Sequence, residues 1–254
     1  MRAKTVHDVI EKIDMIIDRT RKEKSRIGYF AALYHHVAVR FEQKLNENYF
    51  VHSDEIANLD VIFFNRYLEA IDNYWNGQLA TSAWNVTFEA AKSKCPIVLQ
   101  HLLLGMNAHI GLDLGVAVAR SVPADRLLDF KDDFDKMNDL LASLFDTVKC
   151  DLAKIWPTLR LVDALLGNIE NEIVNFSMAA VRRRAWNIAI ELSRMTPQEQ
   201  FTRIDEIDRE IAFLSRLIWK PGIFTRIGIQ FIRMGERGTV PQIIDTLLSS
   251  TCSQ

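Results

Sequence analysis

The chain has 254 residues, 48% hydrophobic and 25% charged, and its 31 basic and 33 acidic side chains give a formal net charge of −2. These are ordinary globular proportions, enough to bury one sizeable core, and the near-neutral balance argues against a nucleic-acid partner. Cys95, Cys150 and Cys252 are far apart with no C-x-x-C pair, which argues against a disulfide framework and fits a reducing cytoplasm.

The first stretch, MRAKTVHDVIEKIDMIIDRTRKEK, lacks the apolar core of a signal peptide. Val6, Ile10, Ile13, Ile16 and Ile17 instead follow the spacing of one buried helical stripe. A second helix is predicted over roughly Gly28 to Asn46. Its stripe of Phe30, Tyr34, Val37 and Phe41 turns Tyr34 inward and leaves His35 on a flank, as a boundary residue or a third metal ligand. A third helix starts near Ser53, with Ser53 as its cap and Asp54 and Glu55 in the first turn. Gly77 breaks the pattern before a fourth helix, whose Trp84 and Phe88 read as core or pocket-wall aromatics. Pro96 fits the first turn of a fifth helix, over 96–119.

A long helix is then expected over DRLLDFKDDFDKMNDLLASLFDTVKCDLAKI, ended by Trp156-Pro157. Phe130, Phe134, Met137 and Leu141 form its buried side, and Asp129, Asp132, Asp133, Asp135 and Asp139 a solvated face. In the next helix, Arg182, Arg183 and Arg184 fan around a turn and suit surface pairs with Glu172 and Glu191. Thr196-Pro197-Gln198-Glu199 is a capping box with proline at the first helical position, and Lys220-Pro221-Gly222 stops the helix it starts. From Arg216 onward, Lys220, Arg226, Arg233 and Arg237 interleave with large apolar residues. The C-terminal segment 223–254 is therefore a basic amphipathic stretch that packs on the body or touches an anionic membrane. With no strand pattern, repeat or linker, the expectation is one all-α domain of eight to ten helices around a buried central helix.

That central helix carries HLLLGMNAHIGLDLG, residues 101–115. Its His101, Asn107, His109 and Asp113 are costly to bury uncompensated. A membrane span would need a bundle around these groups, and no second apolar stretch of similar length exists to build one. In an α-helix His109 and Asp113 are one turn apart, close enough to share an ion or a hydrogen bond. His101 lies about 18 Å from Asp113 along the axis, so it would serve another part of the same cleft. Asn107 points to a different face, and Gly105, Gly111 and Gly115 imply close packing or room for a ligand. Two readings stand. In one, His109 and Asp113 are ligands of a divalent zinc or magnesium ion, or a base with its orienting carboxylate, in an enzyme for a small or lipid-like substrate. There His101 is a second catalytic-cleft group, and Asn107, Tyr34 and Trp84 contact the substrate. In the other, His101, His109 and Asp113 form a structural polar seam in a non-catalytic binding or scaffold protein.

LQHLLLGMNAHIGLDLG resembles the signature of a bacterial family defined only as a domain of unknown function, family 5995, with an L-G-M-N-A-H-I-x-L-D-L core. LDVIFFNRYLEAID, DFKDDFDKMNDLL and RRRAWNIAIEL agree with its other segments in order, so the resemblance spans roughly Ile27 to Leu192. It implies a helical domain and no established activity. Gly115 stands where proline is expected in many relatives, which leaves the end of the central helix open. His109-x-x-x-Asp113 is also similar to a ligand pair of the helical zinc phospholipase C and P1 nuclease group. That group's Pro-x-His element and N-terminal tryptophan are absent. The acids at 129–139 are reminiscent of the magnesium-binding motif of terpene synthases, without its companion Asn-x-x-x-Ser-x-x-x-Glu.

Overall fold

The computed structural model describes residues 2–137, 139–140, 154–156 and 178–249. Among these it has ten α-helices and no strand: α1 (Val6–Lys22), α2 (Ile27–Asn46), α3 (Ser53–Trp75), α4 (Ser82–Lys92), α5 (Val98–Ala108), α6 (Gly115–Ser121), α7 (Met178–Ser193), α8 (Pro197–Trp219), α9 (Ile223–Gly235) and α10 (Val240–Leu248). Local sequence starts several of them. At α1 the Thr5 hydroxyl accepts from the Asp8 amide at 3.1 Å, and the Asp8 carboxylate accepts from the Thr5 amide at 3.2 Å. At α8 the Glu199 carboxylate accepts from the Thr196 amide at 2.8 Å, with Pro197 in the first turn. Gly77, with φ of +70°, ends the run after α3.

Other starts are set from a distance. Ser53 does not cap α3: its hydroxyl turns back to the Phe50 carbonyl, and His52 takes the cap position. The carboxylate of buried Asp133 accepts instead from the amides of Val51 and His52, at 2.9 and 2.7 Å, and pairs with the His52 ring. Asp133 thus leaves the predicted solvated face, whose other members stay exposed. Pro96 also falls outside its helix, because Ile97 is extended and buried beside Trp156 and Ile232. The helix predicted from Asp125 begins with a 3-10 turn, and residues 131–137 are helical; most of its remaining length lies outside the described residues, as does Glu172. Arg182 is buried rather than on the surface. The C-terminal segment is two helices, broken at Gly238, and α10 buries Ile243, Ile244 and Leu247 against the body.

Residues Val98–Ser121 form one continuous rod of 24 residues. It is long and apolar enough to cross a membrane, but 83% of its most apolar window is buried inside the protein. Helices α2, α3, α4, α7 and α8 pack around it. Its glycines make that approach close. A Cβ on Gly105 would lie 2.4 Å from Cγ of Phe30, and one on Gly115 would lie 2.8 Å from the Ala185 carbonyl oxygen of α7. The rod does not end at Gly115, because glycine there lets α6 run on against α7. Gly115→Val is expected to destabilise the fold by about 1–3 kcal/mol through overpacking. Urea denaturation checks this, and an unchanged midpoint would refute the tight contact.

Between α5 and α6 the rod widens into a π-helical turn, His109–Leu114. Such turns interrupt the α-helical register and occur often at functional sites. His109 and Asp113 are both inside it.

Candidate functional site

Asp113 is 1% exposed, and three groups converge on its carboxylate. Arg66 of α3 donates from Nε to Oδ1 at 2.7 Å, and Trp84 of α4 donates from Nε1 to Oδ2 at 2.8 Å. His109 is 3.3 Å from Oδ2 through Nδ1. Burial opposes the charge on Asp113, but the Arg66 guanidinium and the hydrogen bonds from His109 and Trp84 outweigh it and hold the carboxyl below its usual pKa. An ionised carboxylate only accepts, so Nδ1 of His109 carries the proton and Nε2 is left as a bare acceptor.

His109 is 2% exposed and sits in an aromatic cage. Phe63 stacks on its ring at 3.7 Å between centroids and 6° between planes, and Tyr34 meets it edge-on at 4.8 Å. Phe30, Tyr67 and Trp84 close the cage at 5.8–6.0 Å. Burial pushes the imidazole pKa down, against the pull of Asp113. Its Nε2, the hydroxyls of Tyr34 and Tyr67 and Oδ2 of Asp60 are buried with no hydrogen-bond partner among the described residues. Burial alone raises the Asp60 carboxyl to about 7. Each such group costs about 1–3 kcal/mol, so this part of the core is polar at the expense of stability.

On the far side of Asp113 lies a cleft of about 820 Å³, between α3, α4, the central rod and α8. Asp113, Trp84 and Arg66 form part of its wall, with Glu69, Asn73 and Arg120 beside them. Leu79 and Phe201, 85% and 73% exposed, bring apolar surface to the same space. Arg120 is partly exposed and makes no hydrogen bond or ion pair among the described residues. Partial burial, followed by the charge of Arg66, lowers its pKa, while Glu69 and Asp113 pull the other way. One further acid of the cleft is already committed: Asp208 of α8 accepts from the Ser82 and Ala83 amides at 2.6 and 2.9 Å, and so caps α4.

The predicted site residues therefore separate. His109, Asp113, Trp84 and Tyr34 form one cluster, but only Asp113 and Trp84 reach the cleft. His101 lines a different hollow of about 10 Å³ with Arg26 and Thr87, where burial drives its pKa down to about 3. Asn107 donates to the Ile211 carbonyl at 3.1 Å and the Ser215 hydroxyl at 2.9 Å, tying the rod to α8. His35 pairs instead with Asp14 of α1 at 3.3 Å. Among the described residues, no group of three or more His, Cys, Asp or Glu side chains is placed to hold one metal ion. Sequence reasoning missed Arg66, Asp60, Tyr67 and Arg120. A signal existed for two of them: Asp60 and Arg66 are charged positions inside the apolar run of α3.

The fold and site define a helical domain whose central rod presents a buried, charge-compensated carboxylate to a cleft. The chain belongs to the Family of unknown function DUF5995, whose model matches residues 6–221. That match extends the expected span at both ends. No curated protein and no solved structure matches the chain.

Proposed function

We propose that the cleft binds a small anionic molecule with an apolar portion. The observation that carries this reading is Arg120, a guanidinium with no hydrogen bond or ion pair among the described residues, at the edge of a cleft of ligand-binding size. It stands near Arg66, whose charge is committed to Asp113. Two like charges brought together suit a carboxylate or phosphate that bridges them, because Arg presents a planar fork of donors to such groups. Leu79 and Phe201 offer the apolar portion a surface. Asp113 is then a positioning residue that fixes Arg66 and Trp84 in the wall, with His109 behind them.

This reading gives His109 no direct part in chemistry, since its Nε2 is enclosed by the aromatic cage and His109 is not in the cleft wall. It also needs no metal. A divalent ion at Asp113 would compete with Arg66, Trp84 and His109 for the same two oxygens. Calorimetric titration with octanoate, octyl phosphate and octanol tests the proposal. The two anions are expected to bind and the alcohol to bind more weakly. Arg120→Ala is expected to weaken the anions by about tenfold or more, with stability within about 0.5 kcal/mol of the parent. No binding of either anion, or equal binding by the variant, would sink the proposal. Stoichiometric zinc or magnesium in untagged protein, lost in His109→Ala, would favour a metal site instead.

A further inference from the structure

From Ile211 to Gly235 the sequence holds no Asp or Glu, while Arg216, Lys220, Arg226 and Arg233 give it four positive charges. The preceding turns of α8 are different: Asp205, Glu206, Arg209 and Glu210 are exposed there, three acids with one base. The acid-free stretch also carries large apolar side chains on the surface. Phe213 and Leu217 of α8 are each more than half exposed, and Phe231 and Met234 of α9 are 69% and 84% exposed.

The arrangement follows helix geometry. Phe213, Arg216, Leu217 and Lys220 are all exposed, at spacings of three and four residues that place them along one outward stripe. The opposite side of α8 is committed to the body through Ile207, Ile211, Ala212 and Ser215. On α9, Ile232 packs in a cluster with Ile97 and Trp156, leaving Phe231 and Met234 outside. Both helices thus keep an inner apolar side for the core; α8 shows apolar and basic groups together outside, and α9 adds the exposed Phe231 and Met234.

We propose that this surface, on α8 from Phe213 and on α9, docks the protein on an anionic lipid bilayer. Exposed aromatic and aliphatic groups among arginine and lysine, with no acid between them, match a surface that is negative outside and apolar beneath. The proposed surface differs from the sequence-based segment 223–254. It begins earlier, on α8, and excludes α10, whose apolar residues are buried. The proposal is independent of what the cleft binds.

The test is co-sedimentation of the full chain with vesicles of phosphatidylcholine, with and without phosphatidylserine, at low and at physiological salt. The protein is expected to pellet with the phosphatidylserine vesicles, to stay in solution with phosphatidylcholine alone, and to be released as salt rises. Arg216→Gln with Lys220→Gln, and separately Phe231→Ser with Met234→Ser, are each expected to lower partitioning by about tenfold or more. These side chains are exposed, so both double variants should melt as the parent does. No pelleting at low salt, equal pelleting with both lipids, or indifference to both variants would overturn the proposal. Self-association without vesicles that Phe231→Ser with Met234→Ser abolishes would also overturn it, assigning the surface to a second copy of the chain.

Discussion

Asp113→Ala is expected to destabilise the fold by about 3–5 kcal/mol, the usual effect of removing one partner of a buried ion pair. Three donors lose their acceptor together. The Arg66 side chain is 13% exposed, so its charge stays largely away from water without a counter-ion. The indole of Trp84, itself buried, keeps an unsatisfied N–H, and His109 loses the group that fixes its proton. Urea denaturation followed by tryptophan fluorescence measures the loss. The double variant Arg66→Leu with Asp113→Leu should recover part of it, because no uncompensated charge remains. A loss below about 1 kcal/mol in the single variant would show that the pair does not hold this region together.

The second large effect lies in the pH dependence of Asp60. Its carboxyl has a pKa near 7 in the folded protein because it is buried without a cation, against 3.8 ordinarily. The folded state therefore holds a proton that the unfolded chain has released between about pH 4 and 7. Stability from this group is present at low pH and lost as pH rises through that window, by on the order of 4 kcal/mol in total. His101 and His109 act in the opposite sense. Burial keeps both neutral when folded, so stability falls as pH drops below the ordinary histidine value of 6.5. Between pH 4 and 6.5 the buried acid and the buried imidazoles partly cancel. Asp60→Asn unmasks the histidines: its advantage over the parent should grow from pH 4 to pH 8. Parallel stability curves for parent and variant would rule out the buried proton.

Where a feature depended on neighbours along the chain, the sequence carried it. The stripe of α1, the capping box at Thr196, the stop at Pro221 and the inward turn of Tyr34 all rest on contacts within one or two helical turns. The central glycines were also legible as sites of close packing, although the groups packed on them, Phe30 and the Ala185 carbonyl, were not. What escaped was long-range. Arg66 meets Asp113 across 47 residues, and Asp133 caps the turn before α3 across 81. Local pattern weighs Asp133 with its exposed neighbours, whereas two free amides at Val51 and His52 decide its position. The cluster around His109 was legible only in part: its histidine, aspartate and two aromatics could be named, but the cleft lies on one side of them only.

The π-helical turn at His109–Leu114 has a consequence for comparing this chain with others. Residues before and after it are out of phase with ordinary helical counting, so spacing measured across the turn does not report shared faces. His101 and Gly115 cannot be assigned to a common side from their sequence separation, as they could be in an unbroken α-helix. A His-x-x-x-Asp pattern on a regular helix elsewhere would match this motif letter for letter and still present its flanking residues differently. Comparison by motif alone would superimpose the letters and rotate the surroundings.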